Sequence, residues 1–413
     1  MTREYLPDAS WERFGTTVLA GSPLVAFRTT DAGVRVLDAL ERGEPVADSR
    51  LIDRLLDAGA IHPRPAPGAV TSYSLADVTI VTPQLGGNAA TDDRITVDDG
   101  SVPPIAGATL RLDRNRGPAA ARNAARALVD TPLVAFVDAD VELLDDVGIG
   151  SWLDALLPHF DDRRVGLVAP RVTGEAHSPL DLGAMPARIR AGTRVSYVPA
   201  AAIVVRVTAL DAVGGFDERL RFGEDVDLVW RLDQAGWRCR YEPASTVWHA
   251  PRQTLLARMR QHAGYGTAAA PLALRHPGLL SPTRTSGWTA AVWGALVAGH
   301  PLISLGLAIG TAARLPPKLP GVAPIRAVTL ALTGHLRAGT QIAAATRRVW
   351  WPLVAVGAVL SRRLRWAGLA ALLISPSTTP TDVAYGWGVW SGALRHRTAA
   401  PLQPGWTRYR RGS

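Results

Sequence analysis

The spacing of apolar residues changes three times along the chain. In residues 1–68 they recur at helical intervals: Val34, Leu37 and Leu40, then Leu51, Ile52, Leu55 and Leu56. Asp31 is placed to cap the first of these helices and Gly43 to stop it, while Gly59 ends the second. Ahead of them, "GTTVLAGSPLVAFRTT" predicts two short strands around the turn Gly21-Ser22-Pro23. A hairpin and two helices in so short a span predict a small winged-helix-like unit. The stretch "HPRPAPGAV" closes it, because its prolines and glycine disfavour regular structure.

From residue 76 to 275 the pattern is one of short solid apolar runs. "DVTIVTP", "ITVDDGS", "TLRLDRN" and "LVAFVDAD" read as strands that end in polar residues. Alanine-rich or amphipathic segments follow two of them, "GPAAARNAARAL" and "GSWLDALLPHF". That alternation predicts an α/β domain built on a parallel sheet covered on both faces. "RVSYVPAAAIVVRVTAL" adds a strand, "GGFDERLRFGEDVDLVWRLDQAG" a loop entering a helix, and "WRCRYEPASTVWHA" a last strand. Ligands of such sheets bind at the carboxyl ends of strands, where the polar residues lie.

Residues 285–413 are apolar and helical in pattern. No formal charge occurs between Arg284 and Arg314, and "WTAAVWGALVAGHPLISLGLAIGTAA" exceeds the ~20 residues that cross a bilayer. A membrane-spanning helix is therefore expected there. "VWWPLVAVGAVL" and "WAGLAALLI" are shorter runs beside Arg347, Arg348, Arg362, Arg363 and Arg365, with tryptophans at their edges. Arginines and tryptophans in those places suit an anionic membrane surface. A soluble helical domain with an apolar core is the other reading.

Charge and cysteine content narrow the setting. Lysine plus arginine number 45 against 36 aspartates and glutamates, a net +9 that fits an anionic partner. The basic residues gather beside apolar tail segments and on no recognisable reading element, so nucleic acid is not the expected partner. A lone cysteine, Cys239, excludes an internal disulfide and fits a reducing compartment. The polar start "MTREYLPDASWERF" has no apolar signal core. The expected location is the cytoplasmic face of the cell membrane.

Five stretches carry candidate chemistry. At the end of "LVAFV", Asp138 and Asp140 point the same way along an extended chain and can hold a divalent cation with a substrate diphosphate. An acidic loop would look the same in isolation. Asp98 and Asp99, followed by Gly100 and Ser101, offer carboxylates to a nucleoside or else form a plain turn. In "NRGPAAARNAA", Pro118 suits a first helical turn, and Arg116, Arg122 and Asn123 can meet phosphates or brace the metal loop. "GGFDERLRFGEDVDLVWRL" places Glu224, Asp225 and Asp227 at a helix start, where one can serve as a proton acceptor. Trp230 and Arg231, one turn on, offer an aromatic platform and a phosphate-pairing cation. Finally, His249 closes the last strand, where a further metal ligand would be useful, although a lone histidine is more often structural.

The order "VDDGS", "NRGPAAARNAA", "FVDAD", "GGFDE", "GEDVDLVWRL" resembles the family 2 glycosyltransferases of GT-A fold over residues 76–250. That resemblance implies a nucleoside contact at Asp99, a metal diphosphate at Asp138 and Asp140 joined by His249, and a catalytic base at Asp225. The leading segment is similar to PqqD-like peptide-binding domains, and nearly the whole chain resembles the mycofactocin system glycosyltransferases. The resemblance implies UDP-glucose as donor, Mg2+ or Mn2+ as cofactor, and a mycofactocin-type, peptide-derived acceptor. One departure stands out. Only "QLGGNAATDDR" separates the first strand from "ITVDDGS", where the family has a full helix and a parallel crossover usually needs a dozen residues or more. The helix is then lost, or the first strand pairs differently.

The expected function is metal-dependent, inverting sugar transfer in which Asp225 takes the acceptor proton and Glu224 and Asp227 orient the acceptor or the base. A cell-envelope transferase acting on a lipid-linked or polysaccharide acceptor is the enzymatic rival. A degenerate domain that binds without turnover is the other, with the short crossover as its argument.

Overall fold

Strand order decides which of these motifs meet. The computed structural model describes residues 2–64, 71–89, 94–143, 150–175, 178, 180–250, 254–374 and 379–407. Among them nine strands form one sheet: β1 (Val78–Gln84), β2 (Ile95–Asp98), β3 (Leu110–Arg111), β4 (Leu133–Val137), β5 (Val141–Leu143), β6 (Val165–Thr173), β7 (Ala187–Ile189), β8 (Ala202–Arg206) and β9 (Arg238–His249). Their spatial order is β3-β2-β1-β4-β8-β6-β9-β5, with β7 also paired to β9. β1 to β4 run parallel, β8 is antiparallel between β4 and β6, and β9 is parallel to β6. Every residue of β4 is buried, and Leu133, Ala135 and Val137 pack with Trp152, Phe160 and Val204. Unbroken apolar runs are what a sheet covered on both faces selects.

The short first connection leaves the strand order intact. β2 pairs with β1 in parallel register from Val81↔Ile95 to Gln84↔Asp98. No helix occurs among the described residues of that connection, of which 90–93 lie outside the description. Gly86 and Gly87 turn the chain at φ of 78° and 77°, and the Gly86 N–H donates to Ser101 Oγ at 2.8 Å. The end of β2 therefore stands where a longer crossover would have put it.

The leading segment folds onto the same sheet. Helices Asp31–Glu41 and Arg50–Asp57 bury Leu37, Leu40, Ile52, Leu55 and Leu56, while Val34 and Leu51 are only partly covered. The cap of the first helix is Thr30, one residue before the expected Asp31. The two expected strands, Thr17–Ala20 and Val25–Arg28, pair antiparallel, and a third, Glu12–Phe14, precedes them and pairs with the first. Buried Arg238 at the start of β9 donates to Asp53 (2.6 Å), Asp57 (2.9 Å) and Asp162 (2.9 Å). Cys239 beside it is a buried thiol, pushed up to about 12 by burial. The boundary expected at residue 68 lies outside the described residues.

Contacts divide the chain into units of residues 1–251 and 252–413. Residues 255–275, expected to continue the α/β domain, belong instead to the carboxy-terminal unit. There Leu255–Thr267 lies against Thr379–Arg395, and Gly266 and Gly388 permit backbone contact between the two helices. The expected spanning helix is two helices, Gly287–Val297 and Pro301–Ala312. Gly299 (φ 82°) and His300 donate back to Leu296 and Ala295 in a Schellman stop, and Pro301 then opens a new first turn. Among the described residues no helix is long and apolar enough to cross a membrane, which corrects the expectation of a span.

Candidate active site

Sheet register brings the Asp-x-Asp element to His249. β4 ends at Val137; the Asp138 N–H donates to Ala201 O (2.8 Å) and its carbonyl accepts from Val141 N (3.1 Å). This tight turn starts β5, which pairs antiparallel with β9 so that Val141 faces His249 across the ladder. Asp140 Oδ2 then lies 3.3 Å from His249 Nε2, the aspartate side chain 59% exposed and the imidazole mostly covered. The hydrogen bond and charge of Asp140 raise the His249 pKa against the opposing effect of burial. Carboxylate and imidazole here are two donors at the carboxyl end of the sheet.

Arg122 joins segments far apart in sequence. It lies on α1 (Pro118–Ala125), a helix opened by Pro118, and its side chain is buried. Its guanidinium donates to Asp138 Oδ1 (2.6 Å), Glu224 Oε1 (3.2 Å) and Ala200 O (3.3 Å), and lies 5.2 Å from the Phe216 ring centroid. Burial and the charges of Asp140 and Glu224 raise the Asp138 carboxyl, and Arg122 partly offsets them. A buried guanidinium holding two carboxylates is a paired charge that is costly to break.

The acidic run opens α2 (Glu224–Gln234) after Gly223, which takes φ 78° as the cap. Asp225 is half-buried, accepts the Val226 N–H at 2.8 Å, and is pushed up to about 7 by burial and then by the charge of Glu224. Asp227 is fully buried and accepts from Arg231 Nε (2.7 Å), while Arg231 also donates to the carbonyls of Val213 and Gly215. The Trp230 indole is buried and donates to Ser196 O at 2.8 Å. Helical periodicity turns positions 227, 230 and 231 inward. Asp227, Trp230 and Arg231, expected as an orienting acid, an aromatic platform and a phosphate-pairing cation, make these contacts to the surrounding loops.

The other motif residues also turn toward their neighbours. Asp98 is buried and accepts from Ser101 N (2.8 Å), Ile105 N (3.2 Å) and the Arg111 guanidinium; these bonds outweigh burial and hold its carboxyl at about 2. Asp99 accepts the N–H groups of Arg116 (2.7 Å) and Gly117 (2.8 Å), tying β2 to the start of α1. A Cβ at Gly100 (φ 74°) would overlap the Arg114 backbone, so only glycine allows that loop to close. Arg116 pairs with Glu218 (2.5 Å), and Asn123 clasps the Phe216 backbone on both sides, at 2.9 Å each way. Asp98, Asp99, Arg116 and Asn123 therefore brace the loops around the site through these contacts. Phe216, Glu218 and the Ala200 and Ala201 carbonyls went unassigned in the sequence, although Phe216 and Glu218 sit inside the "GGFDE" motif.

Among the described residues no three His, Cys, Asp or Glu side chains converge as a complete metal cluster. The Asp140–His249 pair fits a hard divalent ion that draws its remaining ligands from phosphate oxygens and water.

Comparison with known proteins places this geometry. Residues 109–265 match the model described as "Glycosyltransferase like family 2". The chain is 37% identical over 453 aligned positions to the "Pre-mycofactocin glycosyltransferase" of Mycobacterium tuberculosis, covering 94% of each protein. It is 35% identical over 97 residues to the N-acetylglucosaminyl-diphospho-decaprenol L-rhamnosyltransferase of the same organism, covering 23% of this chain and 29% of that one. Among solved structures, a mannosyltransferase from Pyrobaculum calidifontis in complex with GDP-mannose and Mn2+ aligns with TM-score 0.41 and 18% identity, covering 78% of this chain and 88% of that one.

Proposed function

This chain belongs to the pre-mycofactocin glycosyltransferase family, and we propose that it moves a hexose from UDP-glucose to a mycofactocin-type, peptide-derived acceptor with inversion at the anomeric carbon. One observation supports the reading above the rest. Arg122 ties Asp138 to Glu224, so the Asp-x-Asp turn and the acidic start of α2 belong to one site, beside a half-buried Asp225 whose carboxyl is pushed up to about 7. A base poised near the working pH is matched to deprotonating a sugar-type hydroxyl. In the step, the acceptor oxygen forms a bond to the anomeric carbon from the face opposite the diphosphate. The bond from that carbon to the phosphate oxygen breaks, the hydroxyl proton passes to Asp225, and the nucleoside diphosphate leaves. Asp140 and His249 would hold Mg2+ or Mn2+, which when bound neutralises charge growing on the leaving diphosphate. Glu224, held by Arg122, lies beside Asp225, and its charge adds to burial in raising the Asp225 carboxyl.

The test is the intact mass of the mycofactocin precursor after incubation with the chain, UDP-glucose and Mg2+ or Mn2+. Hexose-sized additions that vanish with chelator and with Asp225→Asn support donor, acceptor and base together. Transfer to extracted lipid-linked acceptors with none to the precursor sinks the acceptor assignment, and turnover retained in Asp225→Asn sinks the base.

A further inference from the structure

The carboxy-terminal unit carries a surface that sugar transfer does not use. Among the described residues, nineteen of the thirty-five exposed large hydrophobic side chains fall between Trp288 and Ile374. Leu302 (82%), Val359 (82%) and Leu360 (85%) are among the most exposed of all. A monomer in water rarely keeps more than a few hundred Å2 of contiguous apolar surface, so this concentration of exposed apolar side chains points to a partner that covers them.

These residues are ordered along helix faces. Leu302, Leu305 and Ile309 are exposed at intervals of three and four on Pro301–Ala312, while Ser304 and Ala312 are buried. Leu353, Val356 and Leu360 repeat the spacing on Trp351–Leu360, and Ile325, Leu332 and Leu336 follow at intervals of seven and four on Pro324–Ala345. Pro301–Ala312 and Pro324–Ala345 thus bury some positions and present an apolar stripe elsewhere, and Trp351–Leu360, with no fully buried residue, presents its stripe as well. Gly287–Val297 with Pro301–Ala312, and Trp351–Leu360 with Arg362–Leu373, are two helical hairpins. Their turns are neighbours, because Arg363 at the second turn donates to Ala298 O at the first.

Charge identifies the occupant. No aspartate or glutamate lies between Glu242 and Asp382, a stretch that holds thirteen arginines and one lysine. Residues 252–413 contain nineteen Lys/Arg and the single acid Asp382, leaving 26 and 35 for residues 1–251: a charge of +18 against −9. Arg314, Lys318, Arg337, Arg362 and Arg365 are exposed on or beside the helices that carry the apolar stripes. The same surface on a second copy would bring like charge against like, whereas an anionic leaflet attracts every one of these cations. Exposed Trp288 and Trp366 suit the headgroup boundary. At 1.5 Å per residue these hairpin arms reach roughly 15–18 Å, about half of a ~30 Å hydrocarbon core, so the unit can enter one leaflet and cannot cross two.

We propose that residues 287–374 form a monotopic docking surface for an anionic lipid leaflet, with the apolar stripes buried in the headgroup–acyl boundary and the arginines on lipid phosphates. The proposal is independent of the identity of donor and acceptor.

The test is flotation of the full chain with phosphatidylcholine vesicles made with and without phosphatidylglycerol. The chain should float with the anionic vesicles and weaken as salt rises. Leu302→Glu with Leu360→Glu should reduce binding at least ~10-fold by removing apolar insertion. Arg362→Gln with Arg365→Gln should cost about fivefold per arginine at low salt while leaving the melting temperature in place. No recruitment to anionic vesicles at low salt overturns the proposal. A lipid-free dimer that the leucine variant converts to monomer also overturns it, in favour of a second copy. So does nucleic-acid retention that the leucine variant leaves unchanged.

Discussion

The two units use charge in opposite ways. Residues 1–251 carry a net −9, yet many of their cations are turned inward and paired: Arg122 with Asp138 and Glu224, Arg188 and Arg238 with Asp57, Arg231 with Asp227. Residues 252–413 carry +18, and Arg314, Lys318, Arg337, Arg362 and Arg365 stay at the surface among exposed leucines and valines, while Arg347 is buried against Asp382. The first arrangement is what a site needs when it must hold carboxylates at set positions in low dielectric. The second suits the anionic lipid leaflet proposed above. A charge removed from the first unit should therefore disturb fold or chemistry, and one removed from the second should disturb neither.

The strongest way to break that contrast is Asp225→Asn. As the proposed proton acceptor it should carry about 10³-fold of kcat, with no loss of stability at neutral pH; steady-state assays with native donor and acceptor check it. Arg122→Met comes next. It strands Asp138 and Glu224 without their cation and should cost about 3–4 kcal/mol of stability as well as activity, read by denaturant melts. If Arg122→Met keeps full stability, the inward pairing is ornamental and the comparison fails.

A pH profile sharpens the same point. Asp225 is raised from 3.8 to about 7, so kcat/KM should rise with pH and level off above about 7, losing about tenfold per unit below it. The stability term has the opposite sense. The folded state binds this proton more tightly than the unfolded chain, so its contribution is complete below 3.8 and is lost as pH rises through about 7. Arg238→Gln should cost less, about 2 kcal/mol, because Asp53 and Asp57 remain partly in water. The smallest effect belongs to the second unit: Arg362→Gln should move stability by less than about 0.5 kcal/mol and register only in vesicle binding.

Much of the site was legible residue by residue. Asp138 and Asp140 at the end of an apolar strand, the glycine before Glu224 and Asp225, and His249 at a strand end are local signals, and each sits at the carboxyl edge of the sheet. What could not be read was the direction of side chains on α1 and α2. Arg122 and Arg231 look alike as helical arginines, yet one joins two motifs of the site and the other braces the Val213–Gly215 turn. For Asp98 and Asp99 the sequence leaves a nucleoside contact and a plain turn open, because spacing cannot tell a carboxylate offered to solvent from one that accepts backbone N–H groups. The spanning helix failed for a different reason. Summed hydropathy over the run outweighed a Gly-His-Pro sequence that is a local stop followed by a local start.

By itself the sequence determined the strands, the order of the motifs, the glycine-dependent turns and the acid-free composition of residues 243–381, since each depends on the chemistry of neighbouring residues. Only the tertiary structure decided that β5 would lay Asp140 against His249, that Arg122 would bridge carboxylates 16 and 102 residues away, and that the apolar run would fold back into a hairpin. Those outcomes depend on strand register and on which face of a helix is buried. Both are set by packing between segments distant in the chain, where local preference carries no information.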